Sequence, residues 1–301
     1  MNLETLATES RNPNTIAIDS ASTLDIVKLI NQEDQTVAAA ITEILPSIAT
    51  AVDYIVAAMQ AGGRLFYIGA GTSGRLGILD ASECPPTYGT DPALVQGLIA
   101  GGTQAIFRAV EGAEDSTTLA AEDLQDKELN HNDILIGIAA SGRTPYVIGG
   151  LQYAKSIGCK TISLTCSPDS AMGNIADLSL TVITGPEVIM GSTRMKAGTA
   201  QKMVLNMLTT SAMIRLGKVY SNLMVDVQTT NEKLKERANR IVSLATGVSR
   251  EEAIEALAAA NGSSKLAILM LLSGLSADEA SKLLQQSRGF ISEALRLSIT
   301  Q

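Results

Sequence analysis

The 301-residue sequence predicts an α/β fold in which a parallel sheet is covered by helices on both faces. Short apolar segments, each the length of a buried strand, alternate with helical patterns through the middle of the chain. Aromatic residues make up only 3% of the sequence, so the core must consist mainly of Ala, Ile, Leu and Val. The predicted strands are Arg64–Ile68, Val95–Ile99, Asp133–Ile138, Lys160–Thr165 and Leu178–Ile183.

Helical patterns occupy most of the remaining chain. After an irregular stretch at 1–21, amphipathic patterns predict two helices that precede the first strand and end at Gly62-Gly63. From about 220 onward every segment predicts helix, with breaks near Gly247, Asn261-Gly262 and Gly274. The predicted helices up to that point lie at 22–45, 46–61, 74–82, 103–110, 115–126, 145–157 and 193–217.

This pattern predicts three parts. An N-terminal helical arm covers 1–52, an α/β domain covers 53–218, and a small C-terminal helical bundle covers 219–301. The mixed charges of residues 232–301 are typical of a solvated bundle rather than of a binding patch.

Composition argues against several classes of partner. The formal net charge is −8 and no Lys/Arg-rich block is present, which argues against nucleic acid and anionic membrane surfaces. The three cysteines form no Cys-x-x-Cys pair, so neither a disulfide framework nor a zinc site is expected. The sequence starts without a signal-peptide pattern, and its apolar runs are shorter than a membrane span. We therefore expect a cytoplasmic protein without a metal.

Three predicted strand ends are followed by loops of glycine and hydroxyl residues. Ligands of an open α/β sheet bind beyond the carboxyl ends of its strands, and a helix start favours an anion such as phosphate. The first two loops share the tripeptide Ser-Gly-Arg, at 73–75 and 141–143. The third loop precedes the long helix. The candidate phosphate-binding residues are Gly71, Thr72, Ser73, Ser141, Gly142, Arg143, Thr144, Ser192, Thr193 and Lys196.

The first loop also matches the dinucleotide-binding pattern Gly-x-Gly-x-x-Gly, at 69–74. That interpretation requires an acidic residue at the end of a second strand, about 20 residues further on. Asp91 lies near this distance, but it belongs to a predicted turn rather than to a strand end. A compact phosphomonoester, held by hydroxyl and N–H groups, therefore fits the three loops better.

Together these motifs resemble the sugar isomerase (SIS) domain, a three-layer αβα sandwich that binds phosphosugars. The run Gly-Pro-Glu-x-x-x-Gly-Ser-Thr-Arg-Met-Lys-Ala-Gly-Thr at 185–199 is similar to the signature shared by N-acetylmuramic acid 6-phosphate etherases and the glucokinase regulatory protein. The segments 8–12, 30–34 and 79–87 resemble the etherase branch. This resemblance extends over essentially the whole chain.

The resemblance implies an enzyme that removes D-lactate from C3 of N-acetylmuramic acid 6-phosphate without a cofactor. By the family's pattern, Glu83 resembles the proton donor and Glu114 the second catalytic glutamate. Cys84 and two prolines follow Glu83 in the sequence, so we expect partial desolvation and a raised pKa for its carboxyl. Two other interpretations stay open: Glu83 as a helix-end charge, and Glu114 as a surface carboxylate that caps the 115–126 helix. The assignment of each proton transfer also stays open.

The resemblance further implies a homodimer with its active site near the subunit interface. Two rival functions remain at this point. One is a phosphosugar isomerase, which is disfavoured because the only histidine, His131, precedes a strand and so lies at the opposite edge of the sheet from the loops. The other is a sugar-phosphate sensor without catalysis.

Overall fold

The computed structural model describes residues 10–227 and 232–299, so Thr8 and Glu9 of the 8–12 motif lie outside the described residues. The described chain forms two compact units. The first contains the chain up to Ser82 together with Pro92–Thr209, and the second contains Glu83–Asp91 together with the chain from Thr210 onward. The three-part division expected from the sequence stays a prediction.

A five-stranded parallel sheet forms the centre of the first unit. Its strand order is β2-β1-β3-β4-β5, and every neighbouring pair is parallel. All residues of β1 and β3 are buried, as expected for a sheet covered on both faces. All five predicted strands are confirmed, and with them the α/β fold. The strands are β1 Leu65–Gly69, β2 Val95–Ile99, β3 Ile134–Ile138, β4 Lys160–Thr165 and β5 Leu178–Thr181.

Helices cover both faces of this sheet. Their bounds are α1 Thr23–Thr42, α2 Leu45–Gln60, α3 Gly71–Tyr88, α4 Gln104–Phe107, α5 Leu119–Asp126, α6 Pro145–Ser156, α7 Ala171–Ile175 and α8 Lys196–Arg215. On one face Phe66 and Leu135 pack in a cluster with residues of α5 and α6. On the other face α3 lies so close to β1 that a Cβ added at Gly77 would be 2.9 Å from Cβ of Tyr67.

Several predicted helix bounds were wrong, most of all those of α3, α4 and α5, and α7 was not predicted. α3 begins at Gly71 instead of 74, so Gly71–Ser73 of the first predicted loop lie in its first turn. It also continues six residues beyond its predicted end at 82, through Pro85 and Pro86. α4 spans only 104–107 instead of 103–110, and α5 begins at 119 instead of 115. α7 is a five-residue helix whose start is fixed by Ser170, because the Ser170 hydroxyl accepts the N–H of Gly173. So short a helix leaves little periodic pattern in a sequence.

The sequence predicted helix for every segment from about 220 onward, and this was wrong, because the second unit also contains two short strands. Val219–Tyr220 (β6) and Leu223–Met224 (β7) form an antiparallel pair around a two-residue turn in which Ser221 has a φ of 54°. These runs of two apolar residues are too short to show strand periodicity. The helices that follow are α9 Glu232–Thr246, α10 Arg250–Ala259, α11 Ser264–Ser273, α12 Ala277–Gln286 and α13 Ile291–Ile299, and the breaks expected near Gly247, Asn261-Gly262 and Gly274 are confirmed.

Within the described ranges, no single helix has both the length and the apolar composition needed to cross a membrane. Two pairs of consecutive helices have that length and composition only when the two helices are taken together. Both pairs are bent, α1 and α2 by 64° and α10 and α11 by 110°.

Candidate active site

The first two predicted phosphate loops follow neighbouring strands. β1 and β3 pair along their whole length, and Gly69 at the end of β1 lies opposite Ile138 at the end of β3. The order in which successive strands are added to the sheet reverses here, because β2 lies on one side of β1 and β3 on the other. Such a reversal point is where open α/β sheets bind ligands. The fold therefore brings the segments at 71–73 and 141–144 to one edge of the sheet.

The start of α8 contacts the first loop. Oγ of Ser73 donates a hydrogen bond to Oε1 of Gln201 at 2.9 Å, and both side chains are buried. One turn earlier on the same helix, a Cβ added at Gly198 would lie 3.4 Å from Cγ2 of Thr72. Nε2 of Gln201 is buried and finds no acceptor among the described residues. Sequence reasoning missed Gln201, since an isolated glutamine in a long helix carries no signal of its own.

The second loop requires glycine at Gly142. Its φ is +64°, and a Cβ there would lie 2.3 Å from Cβ of Ser170. Thr144 is the N-cap residue of α6, but its hydroxyl makes no capping hydrogen bond. Oγ of Ser141 accepts the N–H of Arg143 at 3.3 Å, and Nε of Arg143 is buried without a partner within the described part of the chain. The loop thus retains polar groups that a ligand can bind.

The helix start at the third loop is already occupied by a carboxylate of the protein. Glu187 is fully buried and accepts the N–H of Lys196 at 2.8 Å and that of Ala197 at 2.9 Å. Burial raises the pKa of the Glu187 carboxyl, against the opposing effect of these two hydrogen bonds. The sequence had suggested that this helix start offers its N–H groups to phosphate. The structure instead assigns the first two of them to Glu187.

Lys196 is also paired inside the first unit. Its ammonium lies 2.6 Å from Oε2 of Glu33 on α1, and the Lys196 side chain is only 3% exposed. Oε1 of Glu33 accepts a hydrogen bond from Asn14 at 2.9 Å. Although burial opposes the shift, these partners hold the pKa of Glu33 below its ordinary value. Phosphate binding by Lys196 stays a prediction, and Ser192 and Thr193 are the partly buried candidates of this loop.

Residues near the start of the described chain hold the third loop in place. Nδ2 of Asn12 donates to the Pro186 carbonyl at 3.3 Å, and Oγ1 of Thr15 donates to the Val188 carbonyl at 2.7 Å. Asn12 and Thr15 are both buried. The N-terminal segment therefore belongs structurally to the candidate site, although the sequence resemblance alone marked it.

Glu83 lies inside α3, in the segment that belongs to the second unit. Its side chain is exposed, whereas the neighbouring Cys84 is 3% exposed. The expected desolvation of Glu83 is therefore wrong for the described chain. The reason is helical geometry, because successive residues point about 100° apart and Cys84 takes the inward position. The expectation that Glu83 follows its helix was wrong too, since α3 continues to Tyr88.

Glu114 lies in a 3₁₀ turn at Ala113–Asp115, and its side chain is exposed. The turn follows Gly112, whose φ of 75° is a conformation that favours glycine. Ala113 packs against the core cluster that includes α5 and α6. The alternative that Glu114 caps the following helix is wrong, because Oγ of Ser116 accepts the N–H of Leu119 at the start of α5.

Other candidate chemical groups lie outside this site. Burial raises the pKa of both Cys159 and Cys166 to about 12, so these thiols are poor nucleophiles. His131 is exposed and precedes β3, at the opposite end of the strand from Ser141. Across 10–227 and 232–299, no three or more His, Cys, Asp or Glu side chains are grouped so that they could hold a metal ion.

Two family models match the chain. Residues 47–155 match the glucokinase regulatory protein N-terminal SIS domain, and residues 107–211 match the SIS domain. Among solved structures, a chain from E. coli CFT073, solved as a ligand complex, is similar over 67% of this chain and 97% of its own, with a TM-score of 0.50 and 18% identity. A protein from Bacteroides fragilis described as a candidate phosphosugar isomerase involved in capsule formation has a TM-score of 0.50 and 20% identity, over 67% and 95% of the two chains. These likenesses support the fold alone.

Relatives of high identity share one name. N-acetylmuramic acid 6-phosphate etherase of Clostridioides difficile is 60% identical over 98% of this chain and 97% of its own length. The protein of that name from Aliivibrio fischeri ES114 is 60% identical over 98% of both chains. A third, from Caldanaerobacter subterraneus subsp. tengcongensis, is 57% identical over 99% and 97%. The similarity therefore covers the sheet, the loops and the C-terminal helices alike.

Proposed function

The chain belongs to the N-acetylmuramic acid 6-phosphate etherase family, and from that premise we propose that it is a carbon–oxygen lyase. It cleaves the D-lactyl ether of N-acetylmuramic acid 6-phosphate to give N-acetylglucosamine 6-phosphate and D-lactate, in cell-wall amino-sugar recycling. The observation that carries this proposal is the 60% identity to an etherase over 98% of the chain. The two polar loops at the ends of β1 and β3 support the same substrate class, because they suit a phosphate group.

The reaction proceeds by elimination and addition. An ether oxygen is a poor leaving group, so displacement by water is slow. In the open-chain sugar, the C1 aldehyde acidifies the C2 proton, and a base removes it. The C2–H electron pair forms the C2=C3 double bond, the C3–O bond breaks, and the departing lactate oxygen takes up a proton. Water then adds its hydroxyl to C3 and its proton to C2, which restores the saturated sugar.

Two carboxyl groups suffice for these proton transfers. Glu83 serves as the main acid and base, and Glu114 assists it. Each transfer by a positioned group contributes about 10²–10⁴-fold to the rate. The loops at 71–73, 141–144 and 192–193 hold the phosphate and thereby place C2 and C3. Every step is a proton transfer, an elimination or an addition, so the proposal includes no metal and no redox cofactor.

The proposed setting is a cytoplasmic homodimer with the active site near the subunit interface. The exposure of both Glu83 and Glu114 supports this, because a catalytic carboxyl works best where water is excluded, and a partner subunit can cover it. Nucleic acid and membrane are not among the proposed partners, in line with the net charge of −8.

Incubation with N-acetylmuramic acid 6-phosphate in ¹⁸O-water tests the reaction. We expect D-lactate without label and an amino-sugar product that carries ¹⁸O at C3. A parallel sample of product incubated in ¹⁸O-water accounts for exchange at the aldehyde. Aldose–ketose exchange in place of lactate release would establish an isomerase, and binding of the sugar phosphate without turnover would establish a sensor.

Exchange of Glu83 for glutamine tests the mechanism. Glu83→Gln removes the titrating group but keeps the size of the side chain, so lactate release and C2 proton exchange should both fall by at least about 100-fold. Glu111→Gln is the control, because Glu111 is an exposed glutamate that has no role in the proposal. Lactate release at the parent rate from Glu83→Gln would refute the role of Glu83.

A further inference from the structure

The two Ser-Gly-Arg tripeptides place their arginines in different surroundings. Nε of Arg75 donates to the Ile106 carbonyl at 2.8 Å, and Nη2 of Arg75 donates to the Ala105 carbonyl at 2.8 Å. Nε of Arg143, in contrast, is buried without a partner in the described part of the chain. The guanidinium of Arg75 is therefore used for main-chain contacts within the protein, although its sequence motif is the same.

The two carbonyls that Arg75 binds lie in α4, the four-residue helix that follows β2. The chain becomes extended at Arg108, and the exposed run 107–112 then leads to the turn that carries Glu114. Within this run Val110 packs closely against Gly101, since a Cβ added at Gly101 would lie 2.8 Å from Cβ of Val110. A helix this short has few hydrogen bonds of its own, so its place depends on outside contacts.

Arg75 is well suited to hold this segment. A planar guanidinium presents two N–H groups in a fixed fork, which matches two carbonyls on consecutive residues. Its own backbone belongs to α3 and directly follows Ser73 and Gly74, which were predicted as part of the first phosphate loop and lie in the same helix. The side chain thus connects the loop that precedes it to the segment that leads to Glu114.

We propose that Arg75 is a positioning residue for Glu114, through its paired hydrogen bonds to the carbonyls of Ala105 and Ile106. This inference rests on the proposed function, because it requires Glu114 to take part in the reaction. Arg75 touches neither the phosphosugar nor the reacting atoms. It keeps the Glu114 carboxyl at a fixed distance from the first loop. Because that loop holds the phosphate of the sugar, the distance from the carboxyl to the sugar is fixed as well.

Steady-state kinetics of Arg75→Met and Arg75→Lys test the proposal on the full-length protein. Methionine removes both hydrogen bonds and keeps much of the apolar stem, whereas lysine can restore one of them. We expect kcat to fall by up to about 100-fold in Arg75→Met, the effect of a misplacement of about 1 Å, and to recover partly in Arg75→Lys. Inhibition by inorganic phosphate should keep its constant, because the ligand groups are unchanged.

Arg108→Met is the matched control. Arg108 is an exposed arginine on the same segment, and its guanidinium donates a hydrogen bond to the side chain of Gln104 at 3.1 Å. Its kinetics should equal those of the parent. Circular dichroism and thermal unfolding of each variant monitor folding, and Arg75→Lys carries the test should Arg75→Met not fold.

A double-mutant cycle with Glu114→Gln separates positioning from a general structural role. If Arg75 acts through Glu114, Arg75→Met should cost little further rate in the Glu114→Gln background. Additive losses, an unchanged kcat in both Arg75 variants, or weaker phosphate inhibition would each overturn the proposal. Full activity in Glu114→Gln would overturn the role of Glu114 and, with it, that of Arg75. Loss in Glu114→Gln but not in the Arg75 variants would refute the positioning role alone.

Discussion

Lys196 illustrates how neighbouring charges limit the chemistry of a single residue. Its side chain is 3% exposed and its ammonium is held 2.6 Å from the Glu33 carboxylate. A second carboxylate, Glu187, binds the backbone N–H of the same residue. A buried ammonium must have a counter-charge, because its desolvation costs several kcal/mol. Glu33 supplies that charge from α1 and thereby ties the N-terminal segment to the third loop.

Removal of the Glu33 charge should therefore destabilise the first unit. We expect Glu33→Gln to lower the free energy of unfolding by about 3–5 kcal/mol, because it leaves the Lys196 ammonium buried and unpaired. Urea unfolding at pH 7 measures this. Glu43→Gln is the control, since Glu43 is exposed at the end of α1 and its exchange should cost less than about 0.5 kcal/mol. Equal stability of Glu33→Gln and its parent would show that the pair contributes nothing.

The same variant should change the acid limb of the stability curve. The pKa of Glu33 lies below its ordinary value of 4.5, so its contribution is complete above pH 4.5 and is lost as the pH falls through the lowered pKa of the folded state. Glu33→Gln has no such group to protonate. Its stability should therefore decline less steeply than that of the parent below pH 4.5.

For single residues, the sequence predicted features that depend on neighbouring positions and missed contacts between residues far apart in the chain. Glycine and hydroxyl residues directly after apolar strands predicted that the segments 71–73 and 141–144 lie at one sheet edge, because neighbouring parallel strands end there. The pairs Glu33–Lys196 and Ser73–Gln201 join residues 163 and 128 positions apart. No periodicity or motif within one sequence encodes such pairings, since they depend on how the elements pack.

The helix α3 shows that sequence patterns also fail to predict the end of an element when distant contacts decide it. Proline lacks the N–H that an α-helix requires and crowds the preceding turn, at a cost of about 3 kcal/mol, so a helix end before Pro85-Pro86 was the natural prediction. α3 nevertheless continues to Tyr88 and ends where the N–H of Gly89 donates to the Pro85 carbonyl at 2.9 Å. Packing at the far end of the helix thus outweighs local propensity.

Gly89 lies directly after the end of α3 and is closely packed, so its substitution tests the contribution of this packing to stability. Its φ is +61°, and an added Cβ would lie 2.4 Å from the backbone oxygen of Asp226. Gly274, after α11, has a φ of +73°, and no atom of the described residues lies within 4 Å of an added Cβ. We expect Gly274→Ala to cost about 1–2 kcal/mol for the left-handed conformation alone. Gly89→Ala should cost about 1–3 kcal/mol more, because the backbone must also move.

Substitution of Gly89 should also lower the rate of the reaction. Gly89 lies six residues after Glu83 in the same compact unit, so a shift of the backbone there changes the presentation of the Glu83 carboxyl. We expect a lower kcat for Gly89→Ala than for Gly274→Ala at equal folded fraction. Comparison of the two variants by urea unfolding and lactate assay checks both expectations. Indistinguishable stabilities would mean that Asp226 moves aside at no cost.

For the whole molecule, the division into units gives the C-terminal helices a role that the sequence did not reveal. The Glu83 segment groups with the chain beyond Thr210 rather than with the sheet. Asp226, whose carbonyl borders Gly89, is itself held by Lys218 at 3.1 Å and by Lys265 at 2.7 Å. Lys265 lies on α11, so the helical region supports the segment that carries Glu83. Discontinuous grouping of this kind depends on long-range contacts and leaves no mark in composition.

The proposed dimer makes the origin of the two glutamates testable at the level of the whole molecule. If each active site combines Glu83 of one subunit with Glu114 of the other, a mixed dimer of Glu83→Gln and Glu114→Gln contains one site with both glutamates intact. The two variants, each with reduced activity alone, should then regain lactate release after co-expression with different affinity tags and purification of the doubly tagged dimer. Light scattering supplies the molar mass. A doubly tagged dimer without activity would place both glutamates of a site on one subunit, and a monomeric mass would refute the dimer itself.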